Sequence, residues 1–335
     1  MNITSHLQKI SFENRIPLYS IFELTYRCNL KCLHCYIPPQ KKYKQEITTS
    51  VVKKIINEIA SLGGLYLVFT GGEPLLRKDI FELVEYAKKK NFVVILFTNG
   101  SLMNKNSVEN LAVSGVDSVE ISIYGREHIH NKFVQRQVFN NVIESIYLLK
   151  QYRIDVCLKT LLTKLNYTEF EFIKNLARNL NIRLKVDFVV TPRNDGSVDV
   201  LRYTLDENRI YKFLSNQGVR LTYDRNFKNV MGENFLCSAG FNLVCVSPVG
   251  DVYPCIQLPY KLGNVKKKSF VNIWRNNDFI AKVKNFEKYH RCSKCRHIFY
   301  CSRCIGLCYI ESGSLYGCSY TVLKLSQIWR RITSN

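Results

Sequence analysis

Between about residues 18 and 225, short runs rich in β-branched and aromatic residues alternate with segments whose apolar residues recur at helical spacing. Such alternation predicts βα units and a parallel sheet. Six runs predict strands, at 19–24, 66–70, 93–98, 118–123, 156–161 and 184–190. The helical segments are 51–62, 81–89, 108–113, 142–152, 170–180 and 209–216. Six units are fewer than the eight of a closed barrel, so the pattern predicts a partial (β/α)6 TIM-like barrel with its chemistry at the carboxyl ends of the strands.

The composition of the sequence and the length of its segments change after Phe227. Cysteines, Gly250, Pro254 and Pro259 separate short segments there, and one amphipathic stretch spans 270–286. Too little regular structure is visible for a conventional core, and metal ligation would supply the missing stability. We therefore expect an α/β chain in three parts. They are an N-terminal segment (1–17), the partial barrel (18–226) and a small cysteine-rich domain (227–335).

The composition excludes several classes of protein. Of 335 residues, 46% are hydrophobic, 16 are Gly and 8 are Pro, so disordered and collagen-like chains are excluded. The longest uninterrupted apolar run, 92–97, falls far short of the roughly 20 residues of a membrane helix. His6, Lys9, Glu13 and Arg15 interrupt the N-terminus, which does not resemble a secretory signal. We expect a cytoplasmic protein with no membrane partner.

The charge is strongly unbalanced, since 48 basic and 27 acidic residues give a net charge of +21. Such a surface suits an acidic partner, which is a nucleic acid, an acidic peptide or an acidic electron donor. The lysines are scattered over the chain in short groups, at 41–44, 88–90 and 266–268. Scattered groups favour a solvated lysine-rich surface over a nucleic-acid site.

The thirteen cysteines fall into two groups and one isolated residue, Cys157. Close CxxC spacings in a large intracellular chain indicate metal or redox chemistry rather than disulfides. The first group, Cys28, Cys32 and Cys35, forms a CxxxCxxC just after the first predicted strand. Three thiolates at this spacing can hold three irons of a four-iron cluster and leave the fourth iron open to a ligand. A zinc loop with a distant fourth ligand, for which His34 is a candidate, is the alternative.

A second motif, Thr70-Gly71-Gly72-Glu73-Pro74, follows the second predicted strand. Two glycines allow a ligand to approach the backbone, and a carboxylate beside them can accept hydrogen bonds from an ammonium group. Alone, such a segment favours a tight turn. At the strand end next to the CxxxCxxC, it favours a binding site.

These motifs, with Thr98-Asn99-Gly100 and Ser122-Ile123-Tyr124-Gly125 after the third and fourth strands, resemble those of radical S-adenosylmethionine (SAM) enzymes. The resemblance implies that Cys28, Cys32 and Cys35 hold a [4Fe-4S] cluster whose open iron chelates SAM. Reduction would then release a 5′-deoxyadenosyl radical that abstracts hydrogen from the substrate. The SAM contacts that it implies are Gly71, Gly72, Glu73, Asn99, Ser122 and Arg136.

The C-terminal cysteines resemble a SPASM domain, which carries auxiliary [4Fe-4S] clusters, two of them expected here. Supporting features are Cys237, Gly250 and Cys255 at the characteristic spacing, and the Cys292-x2-Cys295-x5-Cys301 run. By this resemblance Cys237 and Cys255 serve the first auxiliary cluster, and Cys292, Cys295, Cys301 and Cys318 the second. The common pattern has a further cysteine where this chain has Ile305, and Cys304 is favoured over Cys308 as its replacement. Cys245 and Cys308 stay open as extra ligands, and a zinc ribbon over 292–304 is the alternative.

Local details narrow the substrate. Sulfatase maturases carry an acid where this chain has Ile256, which weakens that interpretation. The Ser122 motif, followed by Glu127, His128 and His130, resembles maturases of ribosomally synthesised peptides that form thioether or other crosslinks. The resemblance implies hydrogen abstraction from a peptide residue and crosslinking, in an oxidoreductase whose catalytic acid or base is not identifiable.

Partners follow from the same resemblance. Seventeen residues precede the partial barrel, too few for a leader-binding domain, so we expect a separate leader-binding protein or the basic surface to hold an acidic leader. A low-potential donor such as flavodoxin or ferredoxin would supply electrons. The alternatives are oxidation or rearrangement of a small metabolite, sulfatase maturation and, in a different class, a zinc-dependent nucleic-acid-binding protein.

Overall fold

A single nine-stranded sheet organises the protein in the computed structural model, which describes residues 3–39, 45–216, 237–284, 292 and 294–333. The strands lie in the order β6-β5-β4-β3-β2-β1-β7-β8-β9. Strands β1 to β7 run parallel, and β8 and β9 are antiparallel additions at one edge. Their bounds are β1 Tyr19–Thr25, β2 Tyr66–Gly71, β3 Val93–Thr98, β4 Ser118–Ser122, β5 Asp155–Leu161, β6 Arg183–Asp187, β7 Leu243–Val246, β8 Asp251–Tyr253 and β9 Gly263–Asn264.

Twelve α-helices lie in the described ranges. They are α1 Ile3–Glu13, α2 Thr49–Ser61, α3 Ile80–Lys89, α4 Lys105–Ser114, α5 Glu127–Val134, α6 Phe139–Gln151, α7 Phe170–Asn179, α8 Glu207–Asn216, α9 Phe270–Arg275, α10 Phe279–Lys284, α11 Ile305–Ser312 and α12 Tyr320–Thr333. No helix in these ranges combines the length and apolar character that crossing a membrane requires.

The main core lies between the sheet and helices α2, α3, α4 and α6. Alternate strand residues such as Phe22, Phe69 and Leu96 are fully buried against one apolar face of each helix. In α2 that face is Val52, Ile55, Ile56 and Ile59, as the sequence predicts, and the Thr48 side chain caps the helix. Because neighbouring residues of a strand point to opposite faces, the remaining side chains line the concave side of the sheet.

The predicted strands and barrel helices agree closely with the structure, and the α/β partial barrel is confirmed. The sixth strand ends earlier than predicted, at Asp187, because Asp187 accepts hydrogen bonds from the next two backbone N–H groups. The described part of the amphipathic stretch 270–286 contains two short helices, α9 and α10. Asn277 caps the carbonyls at the end of α9 and separates them.

The cysteine-rich segment shares the sheet of the barrel. Strand β7 pairs in parallel with β1, with Ile21 opposite Cys245. The sequence pattern does not predict helix α1. This helix packs against the segment before β7, where the rings of Phe12 and Phe241 stack with their centroids 4.3 Å apart. The buried indole of Trp274 donates to the Arg15 carbonyl at 2.6 Å. The predicted domain boundary at 226 lies outside the described residues.

Candidate active site and iron–sulfur ligands

The CxxxCxxC lies in a loop of residues 26–37, here called the cysteine loop, directly after β1. Within it the Leu30 N–H donates to Cys28 Sγ at 3.4 Å, and the Cys35 N–H donates to the Cys32 carbonyl at 3.1 Å. Burial raises the pKa of Cys28 to about 11 and also raises those of Cys32 and Cys35. Cys28 and Cys35 further raise the pKa of Cys32, so the three thiols share one site.

The two glycines at the end of β2 pack closely against the end of β1 and the start of the cysteine loop. A Cβ on Gly71 would lie 2.3 Å from the Thr25 carbonyl oxygen, and one on Gly72 would lie 2.3 Å from that of Arg27. The Gly72 and Glu73 N–H groups donate to these same oxygens at 2.7 and 2.9 Å. The sequence predicts that a ligand makes this close approach, but the protein's own backbone makes it. Contact of either glycine with SAM stays a prediction.

Glu73 is fully buried and joins β2 to β3. Its Oε1 accepts hydrogen bonds from the Leu75 N–H at 3.1 Å and the Thr98 hydroxyl at 2.8 Å, and its Oε2 accepts from the Asn99 N–H at 2.9 Å. Burial raises the pKa of Glu73 to about 7, and these hydrogen bonds oppose the rise. Each carboxylate oxygen has two acceptor positions, so Oε2 keeps one for a further donor such as an ammonium group.

Asn99 connects the end of β3 to the cysteine loop. Its Nδ2 donates to Asn29 Oδ1 at 2.9 Å and lies 3.9 Å from Cys28 Sγ. Arg136, at the end of the α5 region, donates from Nη1 to the Asn29 carbonyl at 2.8 Å. Two of the predicted SAM contacts therefore lie beside the cysteine loop.

Ser122 ends β4 next to an aromatic group under the cysteine loop. Burial raises the pKa of Tyr124, and a hydrogen bond with the Ser122 side chain opposes that rise. The Tyr124 hydroxyl lies 3.3 Å from His34 Nε2, and the His34 ring also packs on Phe133. Burial lowers the pKa of His34 to about 4, so the ring is neutral at pH 7 and packs among aromatic side chains.

Arg193 is a positioning residue that the sequence analysis misses. Its Nη1 donates to the carbonyls of Cys35 and Ile37 at 2.7 and 3.2 Å, and its other nitrogens are ion-paired with Asp199. The next residue, Asn194, donates its N–H to the Tyr36 carbonyl at 2.9 Å. A single arginine in a loop after β6 has no sequence signal, because only the fold brings it to the cysteine loop.

The C-terminal cysteines form two groups with different environments. In the first, the nearby thiols Cys237 and Cys304 raise the pKa of Cys255 beyond the effect of burial. Gln257 links Cys255 and Cys304, since its N–H donates to Cys255 Sγ at 3.4 Å and its amide oxygen lies 3.8 Å from Cys304 Sγ. The structure thus brings Cys304 to the two cysteines expected for the first auxiliary cluster.

In the second group, Cys292 and Cys295 lie near Cys301 and Cys318 and raise the pKa of both thiols. The Arg303 guanidinium donates to Cys292 Sγ at 3.2 Å. These are the four cysteines expected for the second auxiliary cluster.

The remaining cysteines are buried. Cys308 lies between the two groups, near Cys304 and Cys318, and burial raises its pKa to about 12. Burial raises the pKa of Cys245, and the neighbouring Glu23 and Cys255 raise it further. Cys157 lies in β5 and donates its S–H to the Leu158 carbonyl at 3.5 Å, away from both groups.

The donor sets fit iron–sulfur clusters. Among the described residues, no three His, Cys, Asp or Glu side chains lie close enough together to share one metal ion. In a four-iron cluster each thiolate binds its own iron, so the thiols gather around a cluster without sharing a metal. The buried thiols resist ionisation, and the positive cluster core would supply the missing countercharge.

Residues 22–177 match the family model of the radical SAM superfamily, and residues 237–296 match that of the SPASM iron-sulfur cluster-binding domain. The chain therefore combines a radical SAM domain with a SPASM domain. Its cofactors are iron–sulfur clusters and SAM, as predicted. When bound, they supply one-electron reduction and the 5′-deoxyadenosyl radical.

The chain is similar to proteins of two kinds. It is 29% identical over 328 residues to the AdoMet-dependent heme synthase of Methanosarcina barkeri, covering 89% of this chain and 93% of the relative. It is 28% identical over 301 residues to the mycofactocin maturase MftC of Mycolicibacterium smegmatis, covering 85% and 77%. Its fold matches Streptococcus suis SuiB bound to the precursor peptide SuiA, with TM-score 0.74, 18% identity and coverage of 95% and 79%.

In this enzyme the chain's own residues provide position and burial. Cys28, Cys32 and Cys35 would hold the SAM-binding cluster, while the glycine pair and Arg193 fix the loop that carries them. Glu73 would receive the methionine ammonium at its free acceptor position. The main core behind the sheet keeps water from the helical side, so the concave side is where SAM and substrate would meet.

Proposed function

We propose that the enzyme matures a ribosomally synthesised peptide, abstracting a hydrogen atom from one residue and forming a thioether or other crosslink. Its similarity to MftC over 85% of the chain supports a peptide substrate. The observation that carries the proposal is the shared sheet, in which β7 places Cys245 beside β1, between Cys255 and Glu23. An auxiliary cluster held by the neighbouring cysteines would thereby adjoin the concave face.

That arrangement suits an oxidative crosslink. A carbon radical that bonds to a cysteine sulfur must lose one electron and one proton to give a closed-shell thioether. The thiols Cys237, Cys255 and Cys304 would hold the one-electron acceptor at the edge of the sheet. A mononuclear zinc site has no redox function, so the redox role depends on the iron–sulfur fit described above.

The partners are part of the proposal. An acidic leader peptide would bind the basic surface, or a separate leader-binding protein would present it, because the net charge of +21 attracts acidic chains. A low-potential donor such as flavodoxin or ferredoxin would reduce the SAM-binding cluster. Association with either acidic partner should weaken as salt screens the charges.

The test is 5′-deoxyadenosine formation by the anaerobically reconstituted, reduced enzyme, with and without small peptides from the native host. A variant with Cys28, Cys32 and Cys35 all changed to Ala is the matched control. We expect product from the wild type alone, and one peptide that raises its yield and loses two hydrogens by mass spectrometry. The proposal would be overturned if 5′-deoxyadenosine formed in the fully loaded enzyme but no host peptide changed in mass.

A small carboxylated molecule is the second candidate substrate. The observation in its favour is the similarity to the M. barkeri heme synthase, which covers 93% of that relative. Another relative from the same organism is named Fe-coproporphyrin III synthase. Fe-coproporphyrin III is therefore the probe for this candidate, and its SAM-dependent change in mass, with no peptide changing, would favour it.

A further inference from the structure

The concave face of the sheet has two chemically different halves. Strands β1 to β3 present mainly aromatic and aliphatic side chains there, including Tyr66, Val68 and Phe97. Strands β4 to β6 present charged groups at the equivalent alternate positions. These groups are Glu120, Asp155, Lys159, Arg183, Lys185 and Asp187.

Two lysines lie at the carboxyl end of this charged half. Strand register places Lys159 opposite Ser122 on one side and opposite Lys185 on the other. Ser122 is the last residue of β4, and Phe97 pairs with Glu120 one level below. The lysines therefore occupy the same edge as the cysteine loop and the glycine pair, on strands across the concave face from β1 and β2.

Two ammonium groups share one buried carboxylate at this site. Glu120 is only 2% exposed and pairs with both, at 3.2 Å to Lys159 and 2.5 Å to Lys185. Lys159 also lies 3.8 Å from the ring centroid of Phe97, a cation–π contact. One carboxylate thus faces two ammonium groups, and among the described residues neither lysine has a second ion-pair partner.

Over the whole half the three acidic and three basic groups balance, so the positive excess is local to the lysine pair. Arg183 and Asp155 form an ion pair with each other. Asp187 uses Oδ1 to accept the N–H groups of Phe188 and Val189. Across the face, Glu23 of β1 accepts a hydrogen bond from the Tyr36 hydroxyl at 2.5 Å.

A structural ion pair needs only one lysine for Glu120, and a second partly enclosed ammonium raises the cost of desolvation. Both lysines keep accessible side chains, 38% exposed for Lys159 and 53% for Lys185, so an anion can reach them. Fixed ammonium groups at a strand end that a buried glutamate orients form a preorganised anion site.

We propose that Lys159 and Lys185 bind a carboxylate of the substrate beside the bound SAM. This inference rests on the proposed function. It implies that the modified residue, or its immediate neighbour, is an Asp, a Glu or the free C-terminus of the peptide. The carboxylate of SAM itself is the other source of the same chemistry. The substrate is favoured because Arg136, the predicted carboxylate contact for SAM, lies beside the cysteine loop, whereas the lysines lie on β5 and β6.

The test measures lysine reactivity in the reconstituted enzyme with SAM bound, using limited acetylation and peptide mass spectrometry. The probes are glutarate and its neutral isostere glutaramide, each at millimolar concentration. We expect glutarate to slow acetylation of Lys159 and Lys185 by about threefold or more, and glutaramide to leave it unchanged. Lys88, which pairs with Asp117 on the helical side, is the internal control and should not respond.

Variants sharpen the result. Lys185→Met should remove the glutarate protection of Lys159, whereas Lys88→Met should preserve it. Glu120→Gln should strengthen the protection, because the competing carboxylate is gone. Equal labelling with and without glutarate in the wild type would overturn the inference without relying on any variant. Protection of both lysines by SAM alone, with no further effect of glutarate, would also overturn it.

The same experiment separates this inference from the proposed function. Glutarate protection in an enzyme that changes no host peptide would keep the carboxylate site and discard the peptide substrate. Conversely, turnover of a peptide whose Asp→Asn, Glu→Gln and C-terminal amide forms react equally well would keep peptide maturation and discard the carboxylate site.

Discussion

The two cysteine-bearing regions of the molecule are built in opposite ways. The cysteine loop is attached to a sheet whose strands β1 to β6 have five to seven residues each and share one continuous apolar core with the helices. The C-terminal thiols lie among strands of four, three and two residues and around a much smaller apolar cluster. In the barrel the fold positions the ligands, whereas in the C-terminal region the ligands complete the fold.

Removal of iron should reveal this difference between the two regions most clearly. We expect amide hydrogen exchange in segments 237–284 and 294–333 to accelerate by about 100-fold or more in the apo protein, because metal binding there contributes folding free energy. Exchange in β1 to β6 should change by less than about fivefold, since the core persists. Uniform acceleration over both regions would contradict the comparison.

Single cysteine variants should give a smaller but parallel difference. Cys255→Ala and Cys28→Ala should each lower the iron content by about four per chain. Only Cys255→Ala should lower the melting temperature appreciably, because the carbonyls of the cysteine loop still accept hydrogen bonds from the Glu73 N–H and the Arg193 guanidinium. Cys157→Ala is the matched control and should keep the full iron content. Equal loss of thermal stability in the two ligand variants would count against the comparison.

Within the barrel, Gly72→Ala should show how firmly the fold fixes the loop. Its Cβ would overlap the Arg27 carbonyl, and overpacking of this kind costs about 1–3 kcal/mol. The expected result is a lower free energy of unfolding by urea and faster loss of iron. Gly115→Ala, at the end of α4, whose Cβ would lie 3.4 Å from the Lys88 side chain, should retain iron normally. Normal iron retention by Gly72→Ala would show that the loop tolerates displacement.

The smallest effect concerns His130, which is buried in α5 behind the Tyr124 backbone. Burial lowers its pKa to about 4, below the unfolded value of about 6.5. The unfolded chain therefore binds more protons between these values, and stability is full above pH 6.5 and falls as the pH drops toward 4. The loss should be about 1 kcal/mol at pH 5.5. Urea unfolding of wild type and His130→Gln at pH 5.5 and 7.5 should show a weaker pH dependence in the variant. Identical pH dependence in the two proteins would show that a group other than His130 takes up the proton.

The sequence predicted the barrel well because its signals are local. Strands such as Val93–Thr98 and helices such as Phe170–Asn179 have apolar residues at a clear period, and the period survives whatever the tertiary contacts are. Helix α5 escaped prediction, since its pattern follows the Ser122 motif closely and is short. The two-residue strand β9 is defined by pairing rather than by composition.

The sequence by itself determined the partial barrel and the edge at which its motifs meet. Residues that follow parallel strands meet at one end of the sheet, so order along the chain suffices to bring Cys28, Gly72 and Asn99 together. Tertiary structure alone decided that Cys304 joins Cys237 and Cys255, that Arg193 holds the cysteine loop, and that two lysines share Glu120. These contacts join segments far apart in the chain, and packing rather than spacing sets which side chains meet.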